Sequence, residues 1–180
     1  HDVAITVGSD GYPVMSYRDA TTGDLIVSHC DDLACAGSSH ATVDSVGNVG
    51  ANSSITIGSD GFPLISYYDT TNANLKVAHC DDTACVSATT ATVDSTGDVG
   101  AYSAVALAST TGYGLIAYYD TTNTNLKFAV CSNVACSAST TSTLNGGGTL
   151  GQYVSMAVGT DGYPVIAYEN TAGQDLFVDH

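Results

Sequence analysis

Residues 54–85 read SITIGSDGFPLISYYDTTNANLKVAHCDDTAC, and closely similar stretches recur along the chain at a spacing of about fifty residues. The related copies span residues 4–35, 104–136 and 155–180, and the third copy contains one inserted residue. Self-similarity with a period of roughly 20–50 residues is typical of repeat architectures. The 180-residue chain therefore holds three complete units and a fourth unit that lacks about its last twenty residues.

Each unit has the same order of apolar runs and turns. A short apolar run, a Ser-Asp-Gly turn, a run ending in Tyr-Tyr-Asp, an Asn- or Gly-containing turn, a third run, a cysteine loop and a Thr/Val run follow one another. This order predicts four short strands per unit. The run at 63–68 does not alternate cleanly between apolar and polar residues, so both faces of its sheet need cover.

Four-stranded antiparallel units that need neighbours on both faces are typical of β-propeller blades. We therefore predict an all-β fold, a β-propeller with three complete blades and one incomplete blade. The domain is expected to span residues 1–180, with units at about 1–50, 51–100, 101–150 and 151–180. A β-solenoid or a sandwich array is the alternative. The ring would close with four blades or would need a further chain.

The succession strand, Asp-Gly turn, strand, Asp-x-x-Asn, strand resembles the repeats of NHL-type propellers and is similar to repeat arrays of secreted bacterial proteins. The resemblance covers the whole chain and rests on strand and turn punctuation. It implies that the first strand of each unit lines the central axis. Those strands are residues 4–7, 54–57, 104–107 and 155–158.

The six cysteines form three C-x4-C pairs, one in each complete unit. Their regular spacing predicts the local disulfides Cys30–Cys35, Cys80–Cys85 and Cys131–Cys136. Persistent disulfides require an oxidising compartment, so we expect an extracellular or cell-surface location. Zinc binding is the alternative, because a histidine precedes the first cysteine in two units. The third unit has Val130 at that position, which favours disulfides.

The net charge of −15 results from eighteen acidic and only three basic side chains. Such a negative field repels nucleic-acid phosphates and anionic membranes, so neither is an expected partner. The chain contains no run of eighteen apolar residues that would insert into a bilayer. Its first residues carry no basic and apolar leader, so we expect that any export signal has been removed.

Aspartates at turn positions are the candidate ligands for a metal ion. Asp19, Asp69 and Asp120 follow the second strand of their units and are expected to cap the next turn. Calcium binding by the same three carboxylates is the alternative, although no EF-hand spacing is present. We expect no other cofactor. The Asp residues before Gly in the first turns are expected to be structural. They are Asp10, Asp60 and Asp161.

Aromatic side chains at repeated positions are the candidate contacts for a sugar or a neighbouring subunit. One set follows the first turn of each unit and comprises Tyr12, Phe62, Tyr113 and Tyr163. Tyr68 and Tyr119 occupy a variable position that we expect to be exposed. The tyrosines directly before that position are invariant among the units and are expected to pack between blades. They are Tyr17, Tyr67, Tyr118 and Tyr168.

The sequence offers little that is typical of an enzyme. Hydrolysis of a glycosidic bond needs two carboxyl groups in different environments, and the chain has a single glutamate, Glu169. No G-x-S-x-G motif is present. The near equivalence of the units favours a scaffold. We therefore predict a non-enzymatic structural or adhesive module whose partners are copies of itself or neighbouring repeats. A propeller that binds neutral glycans is the alternative.

Overall fold

The computed structural model describes residues 3–146 and 148–180 and contains fifteen β-strands in four sheets. Blade 1 is formed by β1 (Val3–Val7), β2 (Pro13–Arg18), β3 (Leu25–Cys30) and β4 (Ser38–Asp44). Blade 2 is formed by β5 (Ala51–Ile57), β6 (Pro63–Asp69), β7 (Asn74–Cys80) and β8 (Ala88–Asp94). Blade 3 is formed by β9 (Val99–Leu107), β10 (Gly114–Asp120), β11 (Asn125–Cys131) and β12 (Ser139–Asn145). Blade 4 is formed by β13 (Leu150–Val158), β14 (Pro164–Asn170) and β15 (Asp175–Asp179).

Within each sheet the strands lie in chain order, and every neighbouring pair is antiparallel. The first strands of successive blades contact one another, β1 with β5, β5 with β9 and β9 with β13. Four antiparallel meanders joined through their first strands form a β-propeller arc, which confirms the predicted fold class. In the described part of the chain no helix is long and apolar enough to cross a membrane.

The second strands of blades 2 and 3 are covered on both faces, as their continuous apolar pattern predicts, whereas those of blades 1 and 4 are covered on one face. All seven residues of β10 are buried, and six of the seven residues of β6 are buried. The outer strands behave differently. In β8 the threonines alternate with Ala91 and Val93, and only the latter two pack against the next blade. The sheets therefore have a buried centre and a half-exposed outer edge.

The core consists of three clusters, and each fills the space between two successive blades. The first joins Val14 and Val27 of blade 1 to Ile65 and Tyr67 of blade 2. The second joins blade 2 to blade 3 in the same way, and the third joins blade 3 to blade 4. The predicted packing role of the invariant tyrosines is confirmed for three of them. Tyr67 and Tyr118 are 0% exposed and Tyr168 is 1% exposed.

Glycines allow the blades to approach closely at the start of each inner strand. Gly100 has a φ of +106°, and a Cβ atom placed on it would lie 2.6 Å from the Cα atom of Leu75. Gly50 and Gly151 take equivalent positions against Leu25 and Leu126. Any larger residue here would clash with backbone as well as adopt a strained conformation. The glycine that ends each sequence unit therefore sets the blade-to-blade spacing.

The arc has two outer faces that pack on no other blade in the described structure. Ile5 on β1 is 65% exposed, whereas its repeat counterpart Ile55 on β5 is 8% exposed. On blade 4, Leu176 is 76% exposed, whereas its counterpart Leu75 is fully buried. The exposed side chains are therefore those that bury against a neighbouring blade elsewhere in the chain.

The antiparallel meander places its connections at two ends. The first turn and the cysteine loop of each unit lie at one end, which we call the cysteine end. The second turn and the connection to the next blade lie at the opposite end, which we call the tyrosine end. Candidate residues on the same end of the arc can act together, and those on opposite ends cannot.

Candidate functional site

At the tyrosine end the inner strands of blades 2, 3 and 4 carry a bulge. Asn52, Tyr102 and Tyr153 sit in the left-handed region, with φ values of 50°, 55° and 51°. Pairing with the second strand of each blade changes register at these positions. Left-handed conformations are uncommon for residues other than glycine, and bulges re-aim side chains. The same distortion therefore directs three successive side chains around the axis.

The three bulge residues line one cavity of about 190 Å³ together with the residues that follow them in sequence, Ser53, Ser103 and Val154. The ring centroids of Tyr102 and Tyr153 lie 4.6 Å apart, with their planes inclined by 45°. Tyr153 is 59% exposed, and Tyr102 is half-buried. Burial and a hydrogen bond with Tyr153 raise the pKa of the Tyr102 hydroxyl. The pair forms a partly open aromatic surface with two hydroxyl groups.

Hydrogen bonds between adjacent inner strands fix this surface. The backbone N–H of Tyr102 donates to Oδ1 of Asn52 at 3.2 Å, and the Ser103 hydroxyl donates to the carbonyl oxygen of Asn52 at 3.3 Å. The hydroxyls of Ser66 and Ser103 are hydrogen-bonded at 2.9 Å. These bonds connect blades 2 and 3 beneath the aromatic rings. Side-chain hydrogen bonds therefore connect the bulges of blades 2 and 3.

Glu169, the single glutamate of the chain, lies beside the same cluster. It pairs with Gln152 across β14 and β13, and its charge acts on the Tyr102 hydroxyl. A second cavity, of about 420 Å³, is lined by Tyr153, Glu169 and Asp175 among others. Tyr153 lines both cavities, and the second one also contains two carboxyl groups.

Tyr68 and Tyr119 do not have the exposure that the sequence led us to expect. Tyr119 is 5% exposed because Tyr102 covers it, with 6.3 Å between the ring centroids. Tyr68 is half-buried, and its hydroxyl donates to Oδ1 of Asp98 at 2.7 Å. Burial and this hydrogen bond raise the pKa of Tyr68. These tyrosines pack beneath the surface of the tyrosine end. The prediction that they are exposed was wrong.

The other predicted aromatic set lies at the cysteine end, away from the bulge cluster. Tyr163 is 67% exposed and Tyr12 is 36% exposed, whereas Phe62 and Tyr113 are half-buried. Their role as contacts for a sugar or a subunit stays a prediction. The structure does not bring them together with Tyr68 and Tyr119, because the two sets occupy opposite ends of the strands.

Histidine–aspartate pairs at the cysteine end were not predicted from the sequence. Nε2 of His29 lies 2.8 Å from Oδ2 of Asp10, and Nε2 of His180 lies 2.9 Å from Oδ2 of Asp161. In blade 2 the corresponding distance, from His79 to Asp60, is 3.0 Å without hydrogen-bond alignment. The third unit lacks both members of the pair and has Thr110, Thr111 and Val130 instead. This joint loss was the sequence signal that could have revealed the pairing.

Backbone hydrogen bonds, together with these pairs, lower the pKa of two turn aspartates, Asp10 and Asp161. A backbone hydrogen bond from Tyr12 and the contact with His29 lower the pKa of Asp10 below its ordinary value. A backbone hydrogen bond from Tyr163 and the charge of His180 lower the pKa of Asp161. The hydrogen bond from the Tyr12 N–H to Oδ1 of Asp10 is 3.0 Å long. The turn aspartates are therefore structural, as expected, but each with a histidine partner.

All three predicted disulfides are present, with Cα–Cα distances of 4.7–4.9 Å. Since both cysteines of every pair are consumed, the alternative zinc site is wrong. In blades 2 and 3 the second cysteine is 1% exposed, at Cys85 and Cys136, because the disulfide packs against the preceding blade. Cys35 in blade 1 is exposed. The disulfide is therefore part of the blade interface as well as a clip on its loop.

The candidate calcium ligands cap turns at the tyrosine end. Asp69 accepts backbone N–H groups from Thr71 and Asn72 through Oδ1, and its Oδ2 accepts the Asn72 amide at 2.9 Å. Asp120 binds Asn123 in the same manner, and Asp19 accepts the N–H of Thr21 at 2.7 Å. No group of three acidic, histidine or cysteine side chains suited to a metal converges within residues 3–146 and 148–180. Calcium binding there stays a prediction.

The bulge residues were not predicted because the repeat pattern emphasises positions that the units share, and this position differs between units. Their column reads Asp2, Asn52, Tyr102 and Tyr153, of which Asp2 lies outside the described residues. The neighbouring variable column ends in Glu169. Chemically distinct residues at equivalent positions near the axis were the available signal. The repeat symmetry is broken at this end of the molecule.

The fold is similar to those of several solved glycoside hydrolases. The chain aligns with the endo-arabinase from Bacteroides thetaiotaomicron at a TM-score of 0.60 and 12% identity, over 97% of this chain and 72% of that one. For the exo-β-1,3-galactanase from Phanerochaete chrysosporium the TM-score is 0.63 and the identity 13%, over 96% and 44%. A bifunctional GH43-CE protein from Bacteroides eggerthii gives 0.60 and 12%, over 98% and 24%.

These similarities establish the β-propeller fold, and GH43 propellers have five blades. This chain spans 72%, 44% and 24% of the three proteins. No protein-family model matches the sequence, and no curated protein matches it.

The expectation of a non-enzymatic structural or adhesive module is overturned by the same finding, because the proteins that share the fold are carbohydrate-active enzymes. The expectation rested on the near equivalence of the units. That premise fails at the tyrosine end, where the bulge column and Glu169 differ from unit to unit.

Proposed function

We propose that the chain is part of a carbohydrate-active propeller that binds a saccharide at the tyrosine end and acts on its glycosidic bonds. The observation that carries the proposal is the bulge-borne pair Tyr102 and Tyr153, whose rings lie 4.6 Å apart beside Glu169. It breaks the repeat symmetry at the ends of the inner strands. The names of the structurally similar proteins, an arabinase and a galactanase, support the same substrate class.

Stacking is the physical basis of the binding step. The apolar face of a sugar ring can pack on an exposed aromatic ring while its hydroxyls remain hydrogen-bonded to water or protein. Tyr153 offers such a ring, since 59% of its surface is exposed. Ser53, Ser103 and Asn52 supply neutral donors and acceptors around it. A neutral polysaccharide also suits a chain with a net charge of −15, because it incurs no repulsion.

The hydrolytic step requires two carboxyl groups, one as general acid and one as base or nucleophile. Glu169 and Asp175 line the same cavity next to Tyr153. Glu169 lies closer to the aromatic pair, through its pairing with Gln152 and its effect on Tyr102. We therefore assign Glu169 to protonation of the glycosidic oxygen as the bond to the anomeric carbon breaks, and Asp175 to the second carboxyl role, as base for the attacking water or as nucleophile.

Several narrower proposals accompany this function. Three disulfides favour an oxidising compartment, which supports an extracellular or cell-surface location. The NHL-type character of the repeats is proposed on their punctuation alone. Calcium at Asp19, Asp69 and Asp120 is proposed as a stabiliser of the tyrosine-end turns. The expected partner is a glycan, without nucleic acid or membrane insertion.

The test is a panel of neutral polysaccharides, including arabinan, β-1,3-galactan and xylan, with binding measured by affinity electrophoresis and hydrolysis by release of reducing ends. Tyr153→Ala is expected to weaken binding about two- to twelvefold, because stacking on one aromatic ring contributes about 0.5–1.5 kcal/mol. Tyr163→Ala is the matched control, since Tyr163 is similarly exposed but lies at the cysteine end. Equal losses in both variants would contradict the site.

Glu169→Gln separates binding from chemistry. The amide keeps the size of the side chain but cannot transfer a proton, so hydrolysis is expected to fall by a factor of about 10²–10⁴ with binding retained. Binding that depends on Tyr153 without any release of reducing ends in the unmodified protein would contradict the hydrolytic step. No binding to any polysaccharide of the panel would contradict the proposed function as a whole.

A further inference from the structure

Two tyrosine rings from neighbouring blades are in contact at the tyrosine end. Tyr102 belongs to β9 of blade 3 and Tyr153 to β13 of blade 4, and their ring centroids lie 4.6 Å apart. Aromatic pairs have centroid separations of about 4.5–7 Å, so these two rings are close to the nearest approach that such pairs make. Among residues 3–146 and 148–180, the other contact between two tyrosine rings joins Tyr102 to Tyr119 at 6.3 Å. Tyr102 and Tyr153 are therefore the closest tyrosine pair in the described structure.

The strands, and not a loop, hold the two rings together. Tyr102 and Tyr153 have φ values of 55° and 51° and occupy equivalent bulges of consecutive blades. Strands β9 and β13 pack directly on one another. Gly151 lets β13 approach blade 3, since a Cβ atom placed on it would lie 2.8 Å from the Cα atom of Leu126. The ring contact is therefore a property of the blade 3–blade 4 interface.

The hydroxyl groups of the pair are also joined. Burial and the hydrogen bond between the Tyr102 and Tyr153 hydroxyls raise the pKa of Tyr102, so this phenol is protonated at neutral pH. The ortho carbons flank the C–OH bond in each ring, so the bonded hydroxyls bring ortho carbons of the two rings near each other. The charge of Glu169 acts on the Tyr102 hydroxyl. A carboxylate at this place can accept the proton that a phenol releases on oxidation.

We propose that Tyr102 and Tyr153 form an oxidative cross-linking site, at which an oxidant of the peroxidase class joins the two rings into a bityrosine. Each phenol loses one electron and its hydroxyl proton, and the two phenoxyl radicals couple through one ortho carbon of each ring. The hydrogens on these two carbons leave as protons while both oxygens are reprotonated, so the pair loses two hydrogen atoms in total. Hydrogen peroxide takes up the two electrons and two protons at the peroxidase haem and becomes two molecules of water.

The cross-link differs from the disulfides in what it connects. Each disulfide closes a loop inside one blade. The bityrosine instead ties blade 3 to blade 4 through their inner strands, with a carbon–carbon bond that thiols do not cleave. The ring contact is present without a saccharide, so this inference does not rest on the proposed function.

The test exposes the complete chain, in dilute solution, to a haem peroxidase and limiting hydrogen peroxide. A parallel reaction with free tyrosine shows that the oxidant is active. The expected product is a monomer with the blue fluorescence of bityrosine and a mass lower by two hydrogen atoms. After reduction of the disulfides and peptic digestion, mass spectrometry is expected to find a linked pair of peptides that contain residues 102 and 153.

Tyr153→Phe tests the pair, because phenylalanine keeps the ring but has no hydroxyl to oxidise. It is expected to lower the yield of the intramolecular product at least tenfold. Tyr163→Phe is the matched control, since Tyr163 is 67% exposed and its ring contacts that of His180 and not another tyrosine. Tyr119→Phe is a second control, and both control variants are expected to give the yield of the unmodified chain. Circular dichroism first verifies that all three variants are folded.

The proposal is overturned if free tyrosine couples while the chain keeps its mass, gains only oxygen or forms only dimers between chains. Linked peptides that contain other tyrosines would also overturn it, as would equal yields from Tyr153→Phe and the unmodified chain. If the product persists in Tyr153→Phe and is lost in Tyr119→Phe, the cross-link belongs to Tyr102 and Tyr119 within blade 3 instead.

Discussion

The interface between blades 2 and 3 and the interface between blades 3 and 4 use the same tyrosine position, but only the former places a lysine beside it. In the former, the Tyr118 hydroxyl donates to Oδ2 of Asp94 at 2.7 Å, and Lys127 donates to the same oxygen. Nζ of Lys127 also lies 5.7 Å from the centre of the Tyr118 ring. Blades 1 and 2 repeat this arrangement with Tyr67, Asp44 and Lys76.

Between blades 3 and 4 every charged member of this triad is replaced. Asn145 takes the place of the aspartate and donates to the Tyr168 hydroxyl at 2.6 Å. Phe177 takes the place of the lysine and stacks on the Tyr168 ring, with the centroids 5.9 Å apart. The Tyr168 hydroxyl and the Asn145 amide both donate to Asp179. The comparison teaches that no lysine is left buried without a partner: at blade 4 the carboxylate comes from Asp179, and the neutral donors Tyr168 and Asn145 bind it instead of a lysine.

The largest difference between the two interfaces is expected when the acceptor is removed. Asp94→Ala leaves Lys127 buried without a partner, and such a change typically costs about 3–5 kcal/mol. Asn145→Ala leaves Tyr168 bonded to Asp179 and is expected to cost about 1 kcal/mol. Urea unfolding of the two variants measures both values. Equal losses would show that the lysine pair adds nothing beyond a neutral hydrogen bond.

A second contrast concerns the disulfides. Removal of a six-residue clip costs about 2 kcal/mol in the chain-entropy model. Cys131→Ala/Cys136→Ala also removes packing against blade 2 and is expected to cost about 3–4 kcal/mol. Cys30→Ala/Cys35→Ala is the matched pair, because Cys35 is exposed and only Cys30 is buried, and it should cost less than the blade 3 variant. If both double variants lose the same stability in urea, the disulfides do not contribute to the interface.

Acid should weaken the charged interface selectively. Burial raises the pKa of Asp94, but hydrogen bonds from Lys127 and Tyr118 outweigh it, so the net pKa lies below the ordinary value of 3.8. The resulting stabilisation is complete above pH 3.8 and is lost as the pH falls through the native pKa. The difference in unfolding free energy between the unmodified protein and Asp94→Asn is therefore expected to shrink toward pH 2. A constant difference would contradict the lowered pKa.

The smallest effect is expected when the charged triad is transferred. Asn145→Asp/Phe177→Lys/Asp179→Ala rebuilds at blade 4 the residues found at Asp94, Lys127 and Ala129. Buried ion pairs and well-packed neutral groups often have similar net stability, so the change should stay within about 1 kcal/mol at pH 7. Asn145→Asp alone, which places a second carboxylate beside Asp179, should be clearly less stable. If the single variant is as stable as the triple variant, the two interfaces are not equivalent in geometry.

Much of this architecture could be predicted because the same residues recur at equivalent positions of the repeat. The strand order, the three disulfides and the packing of Tyr67 and Tyr118 follow from positions that the three complete units share. The lysine–aspartate pairing could not be predicted in the same way. Asp94 and Lys127 are separated by 33 residues and meet only because blade 3 stacks on blade 2.

The candidate site was hidden for a different physical reason. A β-strand pattern states which face a residue occupies, but not that Tyr102 and Tyr153 adopt a positive φ and leave that alternation. The curvature that brings successive inner strands together is a property of the stacked blades. The sequence therefore predicted the strands and turns of the repeat. It did not predict where the residues that differ between units lie in the structure.

The burial of the lysines has a consequence for proteolysis. Trypsin cleaves after Lys and Arg, and the chain contains only Arg18, Lys76 and Lys127. Two of these bonds lie within the third strands of blades 2 and 3, where the lysine is paired to the preceding blade. A protease reaches such a bond only when the blades separate. Tryptic cleavage after each lysine therefore reports the opening of one particular blade interface. Few other sites in the chain can be cleaved by trypsin.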